Sequence, residues 1–283
     1  MTQADDFLSG ESGHVAGVRA VTRNGLRDAV LDLRLALGAA GREARAATGP
    51  ARRVLVAGIY GGDSERMART VGELQRTRHD VEVVLGAQGA VAPSLRDVTA
   101  AERLAGGKFE NLNALLEGRD PASRDWLVVV DDDILLPRGF LDRFLAICEA
   151  LDFSLAQPAQ TWRSHAAWQI TRRRGGVVAR QTRYVEIGPV TAFRSEAAAI
   201  LFPFPPLRYG WGLDVHWSAV AEERGWRLGV VDALPVRHDA APVATTYPRE
   251  GAVAEAREFL RDRPYVPAAA AQTTLAAYAK LPR

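Results

Sequence analysis

Three consecutive carboxylates, Asp131, Asp132 and Asp133, follow directly on the apolar run Trp126-Leu-Val-Val-Val130. Five apolar residues with three adjacent valines read as a strand buried on both faces, the kind found in the middle of a parallel sheet. The acids then fall at its C-terminal edge, where open α/β sheets bind ligands. Carboxylates packed this closely repel one another unless a cation sits among them. Strand alternation sends Asp131 and Asp133 to one side and Asp132 to the other. The triplet therefore reads as a divalent-metal site held by Asp131 and Asp133.

Other stretches combine glycine with groups able to bind or transfer protons. Gly61-Gly62-Asp63 ends an apolar strand in a turn. Gly106-Gly107-Lys108 precedes the helical stretch that carries Asn111; glycines there let a backbone approach a ligand, and a helix N-terminus favours anions. Only Lys108 and Lys280 are lysines in a chain whose other basic residues are arginine. A lysine beside a phosphate or nucleotide base is therefore the reading preferred to an ordinary surface lysine. Downstream, Gly210-Trp211-Gly212-Leu213-Asp214 presents an indole between two permissive positions, with Asp214 where a helix N-cap belongs. Glu186 lies in a β-like run, and His238 closes a late one.

These residues need elements to position them. The runs 53–60, 81–85 and 126–130 read as strands, with a helical segment to about Arg76 and another from 108, which argues for parallel βαβ construction. Pro137 is placed to begin a helix whose buried side is Phe140, Leu141, Phe144, Leu145, Cys148 and Leu151. From Phe153 to Phe193 short β-like runs alternate with polar loops. Gln157, Gln160, Trp162, His165 and Trp168 collect there, a composition that suits a polyhydroxylated ligand, although core packing is the commoner fate of aromatics. Trp226–Asp232 reads as one strand and Leu234–His238 as another. The expected organisation is a tail and amphipathic helix over 1–50, a catalytic domain over 51–245 divided into halves 51–137 and 138–245, and a C-terminal helix and tail over 246–283.

The first helix spans about Val18 to Ala47. Leu26, Val30, Leu33 and Leu37 fall on one face at i, i+4, i+7 and i+11, with Arg19, Arg23, Arg27 and Arg34 on its polar side. The default expectation is that the apolar face packs on its own domain. Membrane attachment and pairing with a second copy of the chain are the alternatives. With 283 residues, 47% hydrophobic and 25% charged, the chain can bury a substantial core. A net charge of +2 gives no global reason to expect nucleic acid as a partner. The single Cys148 excludes an intramolecular disulfide and any zinc site built on several thiolates. No window reaches the roughly 18 uninterrupted apolar residues that suggest a membrane helix, and the N-terminus lacks a signal pattern. The expected location is cytoplasmic.

Taken in order, the glycine turn, Gly-Gly-Lys108, the strand-terminal Asp-x-Asp, Gly-Trp-Gly-Leu-Asp214 and late His238 resemble the GT-A fold of nucleotide-sugar glycosyltransferases over about residues 53–240. Asp131-Asp-Asp-Ile, Ala156-Gln-Pro-Ala, Tyr184-Val-Glu-Ile, Gly210-Trp-Gly-Leu-Asp and Val236-Arg-His look most like an uncharacterised domain family of bacteria and plants within that fold. The resemblance implies an α/β architecture: a mixed, mostly parallel, Rossmann-like sheet flanked by helices, with the N-terminal helix added. It implies a metal-dependent hexosyltransferase-type enzyme using a UDP- or GDP-linked sugar and a hydroxyl acceptor. Mn²⁺ or Mg²⁺ would be held by Asp131, Asp133 and His238, with Asp133 as the direct ligand and Asp131 near the ribose or a metal-bound water. Oxygen donors suit both ions, and Mn²⁺ also accepts imidazole. Donor binding would draw on Gly61, Asp63, Lys108, Asn111 and Asp131, with Gly210, Trp211 and Gly212 from the second glycine loop. In inverting members the base follows that loop, which falls on Asp214; Glu186 is the competing base or a ligand for acceptor hydroxyls. The family pattern has Glu-Asp where this chain has Leu213-Asp214.

Three other readings compete. A haloacid-dehalogenase-type phosphatase would use Asp131 as nucleophile, but it expects Thr or Val where Leu135 stands and a downstream lysine for which only Lys280 is available. A terpenoid-type Asp-Asp-x-x-Asp motif fails at Leu135 and Leu136. A catalytically idle sugar- or nucleotide-binding module would keep the glycine loop and aromatics and need no base.

Overall fold

Gly38 divides the long amphipathic stretch into α1 (Val18–Leu37) and α2 (Ala39–Ala46). A Cβ at this position would lie 2.4 Å from the Arg34 carbonyl oxygen, so only glycine fits the corner. The computed structural model describes residues 5–10, 15–238 and 248–282. The expected domain boundary at 245 falls outside them.

Contrary to expectation, α1 docks by neither the Leu26–Leu37 stripe nor the arginine side but by a third face carrying Asn24, Asp28, Leu31 and Leu35. Asp28 is its one buried residue and accepts the backbone N–H groups of Trp162 and Arg163 at 2.9 and 3.0 Å. Asn24 donates to the Trp162 carbonyl at 2.9 Å, while Leu26, Val30, Leu33 and Leu37 face outward. The two orphaned loop N–H groups need an acceptor more than the body needs another leucine, because an unpaired buried polar group costs about 1–3 kcal/mol.

The apolar runs then build the sheet. β1 (Arg53–Tyr60), α3 (Ser64–Leu74), β2 (Asp80–Ala87), β3 (Thr99–Ala101), α4 (Lys108–Leu115) and β4 (Trp126–Val130) form its parallel part. A two-residue β5 (Ile134–Leu135) and α5 (Phe140–Ala150) follow. The helix starts after Gly139 rather than at Pro137. Its first N–H groups are satisfied by Glu73 of α3, which accepts from Gly139 and Phe140 at 2.5 and 3.3 Å.

The second half supplies β6 (Leu155–Gln160), β7 (Ala179–Thr182), β8 (Val190–Arg194), α6 (Ser195–Leu201), α7 (Leu213–Arg224) and β9 (Leu228–His238). β9 is one continuous strand where the sequence suggested two. Tyr184–Ile187 is loop, not strand. Beyond residue 247 come α8 (Arg249–Leu260), α9 (Ala268–Ala271) and β10 (Thr274–Tyr278). β10 pairs antiparallel with β7, so the alanine-rich end forms a sheet edge rather than a tail.

The ten-stranded mixed sheet runs β10-β7-β9-β6-β8-β4-β1-β2-β3, with β5 paired to β9. β4 sits between β1 and β8, and all five of its residues are buried. Its carboxylates emerge at the centre of the molecule, with an apolar core packed on either face.

Candidate functional site

The end of β4 and the end of β9 are brought together by β5. Its antiparallel register sets Ile134 opposite His238, which puts the imidazole beside the residue preceding Ile134. His238 Nε2 lies 3.0 Å from Asp133 Oδ2. Asp131, Asp133 and His238 can each offer one ligand atom within 4.8 Å of the others. His238 Nδ1 is buried and makes no hydrogen bond among the described residues. Two carboxylates and one imidazole with a ring nitrogen left unpartnered fit a divalent cation of the Mn²⁺ type. Burial alone would lower the His238 pKa. The Asp133 hydrogen bond and charge, backed by Asp131 and Glu186, carry it above the ordinary value instead.

Asp131 has a second partner. Lys108, the first residue of α4, places Nζ 2.6 Å from Asp131 Oδ1 and donates to the Ile187 carbonyl at 2.8 Å. Burial raises the Asp131 pKa, Lys108 opposes the rise and Asp133 adds to it. A Cβ on Gly188 would come within 2.6 Å of Asp131 Oδ2 and 3.0 Å of Lys108 Nζ, so that glycine keeps space for the pair. With Lys108 on Asp131, the Asp133–His238 pair is the less encumbered half of the triad.

Asp132 does different work. Its Oδ2 accepts the N–H groups of Gly61 and Gly62 at 2.9 and 3.0 Å, tying the turn after β1 to the end of β4. Asp63 caps α3, accepting from the Arg66 N–H at 2.9 Å, a role worth about 1 kcal/mol by itself. Asn111 is buried and makes two bonds to the backbone of Gly106, at 3.0 and 2.8 Å. Gly107 lies against the backbone of Arg208, where a Cβ would sit 1.7 Å from the carbonyl oxygen. The glycine pair therefore brings the start of α4 up to the second glycine loop.

That loop is fixed from the far end of the chain. Glu255 of α8 accepts the N–H groups of Arg208, Tyr209 and Gly210 at 2.8, 2.9 and 3.1 Å. Gly210, at φ 76°, packs on the Phe109 ring where a side chain would clash, and Gly212, at φ 90°, caps α7. Trp211 is half-buried with Arg249 over its ring. Gly212 takes the cap position expected for Asp214, which leaves Asp214 in the first turn of α7.

Asp214 is buried. Oδ2 accepts the Tyr184 hydroxyl at 2.5 Å and Oδ1 the Val215 N–H at 2.9 Å. Burial raises its pKa to about 6, while those two donors hold it down. Tyr184 in turn packs against Trp168, with ring centroids 4.2 Å apart and the rings tilted by 32°. Glu186 lies two residues further on; its Oε2 accepts from Gln160 Nε2 at 2.7 Å, and its N–H donates to Gln157 Oε1 at 2.5 Å. Burial, reinforced by the Asp214 charge and opposed by His238 and Arg172, raises Glu186 to about 8.

The two glutamines thus position Glu186, and Trp168 belongs to the core. Trp162 is covered by Arg27 of α1 at 3.2 Å. Sequence reasoning gave no role to Tyr184, although a tyrosine two residues before a candidate acid was visible. It also missed Glu255, whose position on an ordinary amphipathic helix carries no local signal.

The sequence matches no protein-family model and no curated protein. Among solved structures the chain is similar to the mannosyltransferase PcManGT from Pyrobaculum calidifontis, solved with GDP-Man and Mn²⁺. The TM-score is 0.55 at 16% identity, over 87% of this chain and 79% of that one. It also matches GalNAc-T7, solved with UDP, GalNAc and Mn²⁺, at TM-score 0.49 and 12% identity, over 66% of this chain and 43% of that one. The first of these likenesses, with the mixed sheet and its flanking helices, defines the fold as GT-A.

Proposed function

We propose that this chain is a metal-dependent glycosyltransferase that moves a sugar from a UDP- or GDP-linked donor to an acceptor hydroxyl with inversion. One observation carries the reading: Asp131, Asp133 and His238 converge from β4 and β9 at the sheet edge of a GT-A fold. A bound Mn²⁺ or Mg²⁺ would supply Lewis-acid stabilisation of the charge that develops on the departing diphosphate. Asp133 and His238 are the residues to hold it, with Asp131 shared between that site and Lys108. Lys108 adds a positive charge at the N-terminus of α4, where phosphate oxygens are favoured. Gly61 and Asp63, at the turn after β1, and Gly210, Trp211 and Gly212 would shape the donor's surroundings. Asn111 serves them by holding the Gly106 backbone.

Asp214 is the base. Its carboxylate takes the acceptor proton as the hydroxyl oxygen attacks the anomeric carbon, and the electron pair of the broken bond leaves on the diphosphate oxygen. A pKa of about 6 leaves Asp214 ionised in most molecules at neutral pH, and close enough to it to be an effective base. Glu186, at about 8, is mostly protonated there, so it is suited to donate a hydrogen bond to an acceptor hydroxyl rather than to take a proton. The donor-set chemistry of the site, the similar fold and the ordering of these two acids support the reading together.

The test is nucleoside diphosphate release from UDP- and GDP-sugars in the presence of Mn²⁺, with and without candidate acceptors. Asp214→Asn is expected to lower turnover by about 10²-fold or more and to leave metal-dependent donor binding intact. An Asp214→Asn protein that turns over as fast as the parent would remove Asp214 from the role.

A further inference from the structure

Helix α1 carries its apolar stripe on the outside of the molecule. Leu26, Val30, Leu33 and Leu37 are 66%, 51%, 61% and 70% exposed, on one face of a 20-residue helix. The fold does not ask for leucines on that side, since α1 is held to the body by another face, through Asp28, Asn24, the Arg27–Trp162 stack and the partly buried Leu31 and Leu35. A contiguous exposed apolar patch of this kind marks an interaction surface.

The charges around the stripe are of one sign. Arg19, Arg23 and Arg34 are exposed and make no ion pair among the described residues. Both carboxylates of the helix are already committed: Asp28 is buried, and Asp32 lies 2.6 Å from Arg173. The concavity beside α1 is lined by Leu26 and Val30 together with Arg27, Arg34, Arg172 and Arg174.

We propose that α1 docks this protein on an anionic lipid bilayer, with the Leu26–Leu37 stripe entering the headgroup region and the flanking arginines meeting lipid phosphates. An apolar stripe flanked by the exposed Arg19, Arg23 and Arg34 is complementary to such a surface. A second copy of the chain fits poorly, because self-pairing would set these arginines against each other with no free carboxylate on α1 to receive them. No described helix is long and apolar enough to cross a membrane. The proposal stands apart from the reading of the active site. It has a structural link to it, however: the loop that α1 grips at Trp162 and Arg163 also bonds the backbone of His238, through His165 N–H at 2.8 Å and Ser164 Oγ at 3.0 Å.

Co-sedimentation of the full chain with phosphatidylcholine vesicles, with and without phosphatidylglycerol, tests this. Binding to the anionic vesicles should exceed binding to the neutral ones by about tenfold or more, and should weaken as salt screens the arginines. The double variant Leu26→Glu, Leu33→Glu and the triple variant Arg19→Gln, Arg23→Gln, Arg34→Gln should each abolish it while melting like the parent, since all five side chains are solvent-facing. If the parent stays in solution with both vesicles, or binds both equally, the proposal is wrong. It is equally overturned if the parent is a dimer by light scattering that the leucine variant converts to a monomer while vesicles bind neither form.

Discussion

At Glu186 the burial of one side chain makes a measurable demand on stability. Its proton is held to about pH 8 in the folded chain, against an ordinary glutamate value near 4.3 in the unfolded one. Between those values the native state binds more proton than the unfolded state, so Glu186 makes stability fall as pH rises through that window. Glutamine does not titrate and can still accept from Gln160. Glu186→Gln should therefore melt at nearly the parent's temperature at about pH 4 and at least about 2 °C higher at pH 8. An equal difference at both pH values would show that the burial of Glu186 carries no such cost. The same scale shows what could be read from residue types. The acids at 131 and 133, the glycines at 210 and 212, and His238 stand out because their chemistry is scarce in an apolar context. The distinction between Asp214 and Glu186 could not be read, because it depends on Tyr184 and on burial, and both come from tertiary packing.

At the scale of elements, strands with continuous valine or alternating apolar content were legible, and those held by context were not. β1, β2 and β4 announce themselves, and β4 lies in the interior of the sheet as its composition suggested, although it is parallel to β1 and antiparallel to β8 rather than within a wholly parallel region. β5 has two residues, and β7 contains the buried Arg180, which survives there only because Asp232 and the carbonyls of Ile170 and Arg172 take its donors. No local pattern announces either strand. α1 was legible as a helix but not in its orientation: an amphipathic face says where leucines lie, not which side the body will hold. α8 is the plainest case of a remote element acting on the site. Its Glu255 receives three backbone N–H groups of the loop leading to Gly212 and Asp214. Glu255→Ala leaves those donors without their acceptor and should cost about 1–3 kcal/mol, read as a fall in Tm in thermal melting. It should also lower kcat/KM through the displaced loop. Unchanged melting and kinetics would mean that the loop holds its shape without α8.

For the whole molecule, the continuous sheet turns distant stretches into one site. β9 runs parallel to β6 and reaches β5, and that reach delivers His238 to Asp133 across a long separation in sequence. The order of the motifs along the chain points to the GT-A fold, and the fold likeness to a solved mannosyltransferase holds at only 16% identity. The pairing that closes the site was not readable, because β5 is too short to be seen. The proposed binding of a nucleoside diphosphate at this edge through a divalent cation can be checked by thermal shift with UDP and GDP, each with and without Mn²⁺. One of them should raise the melting temperature only when Mn²⁺ is present, and Asp133→Ala should abolish the rise. A protein stabilised by neither nucleotide in Mn²⁺, or an Asp133→Ala variant stabilised as fully as the parent, would contradict it.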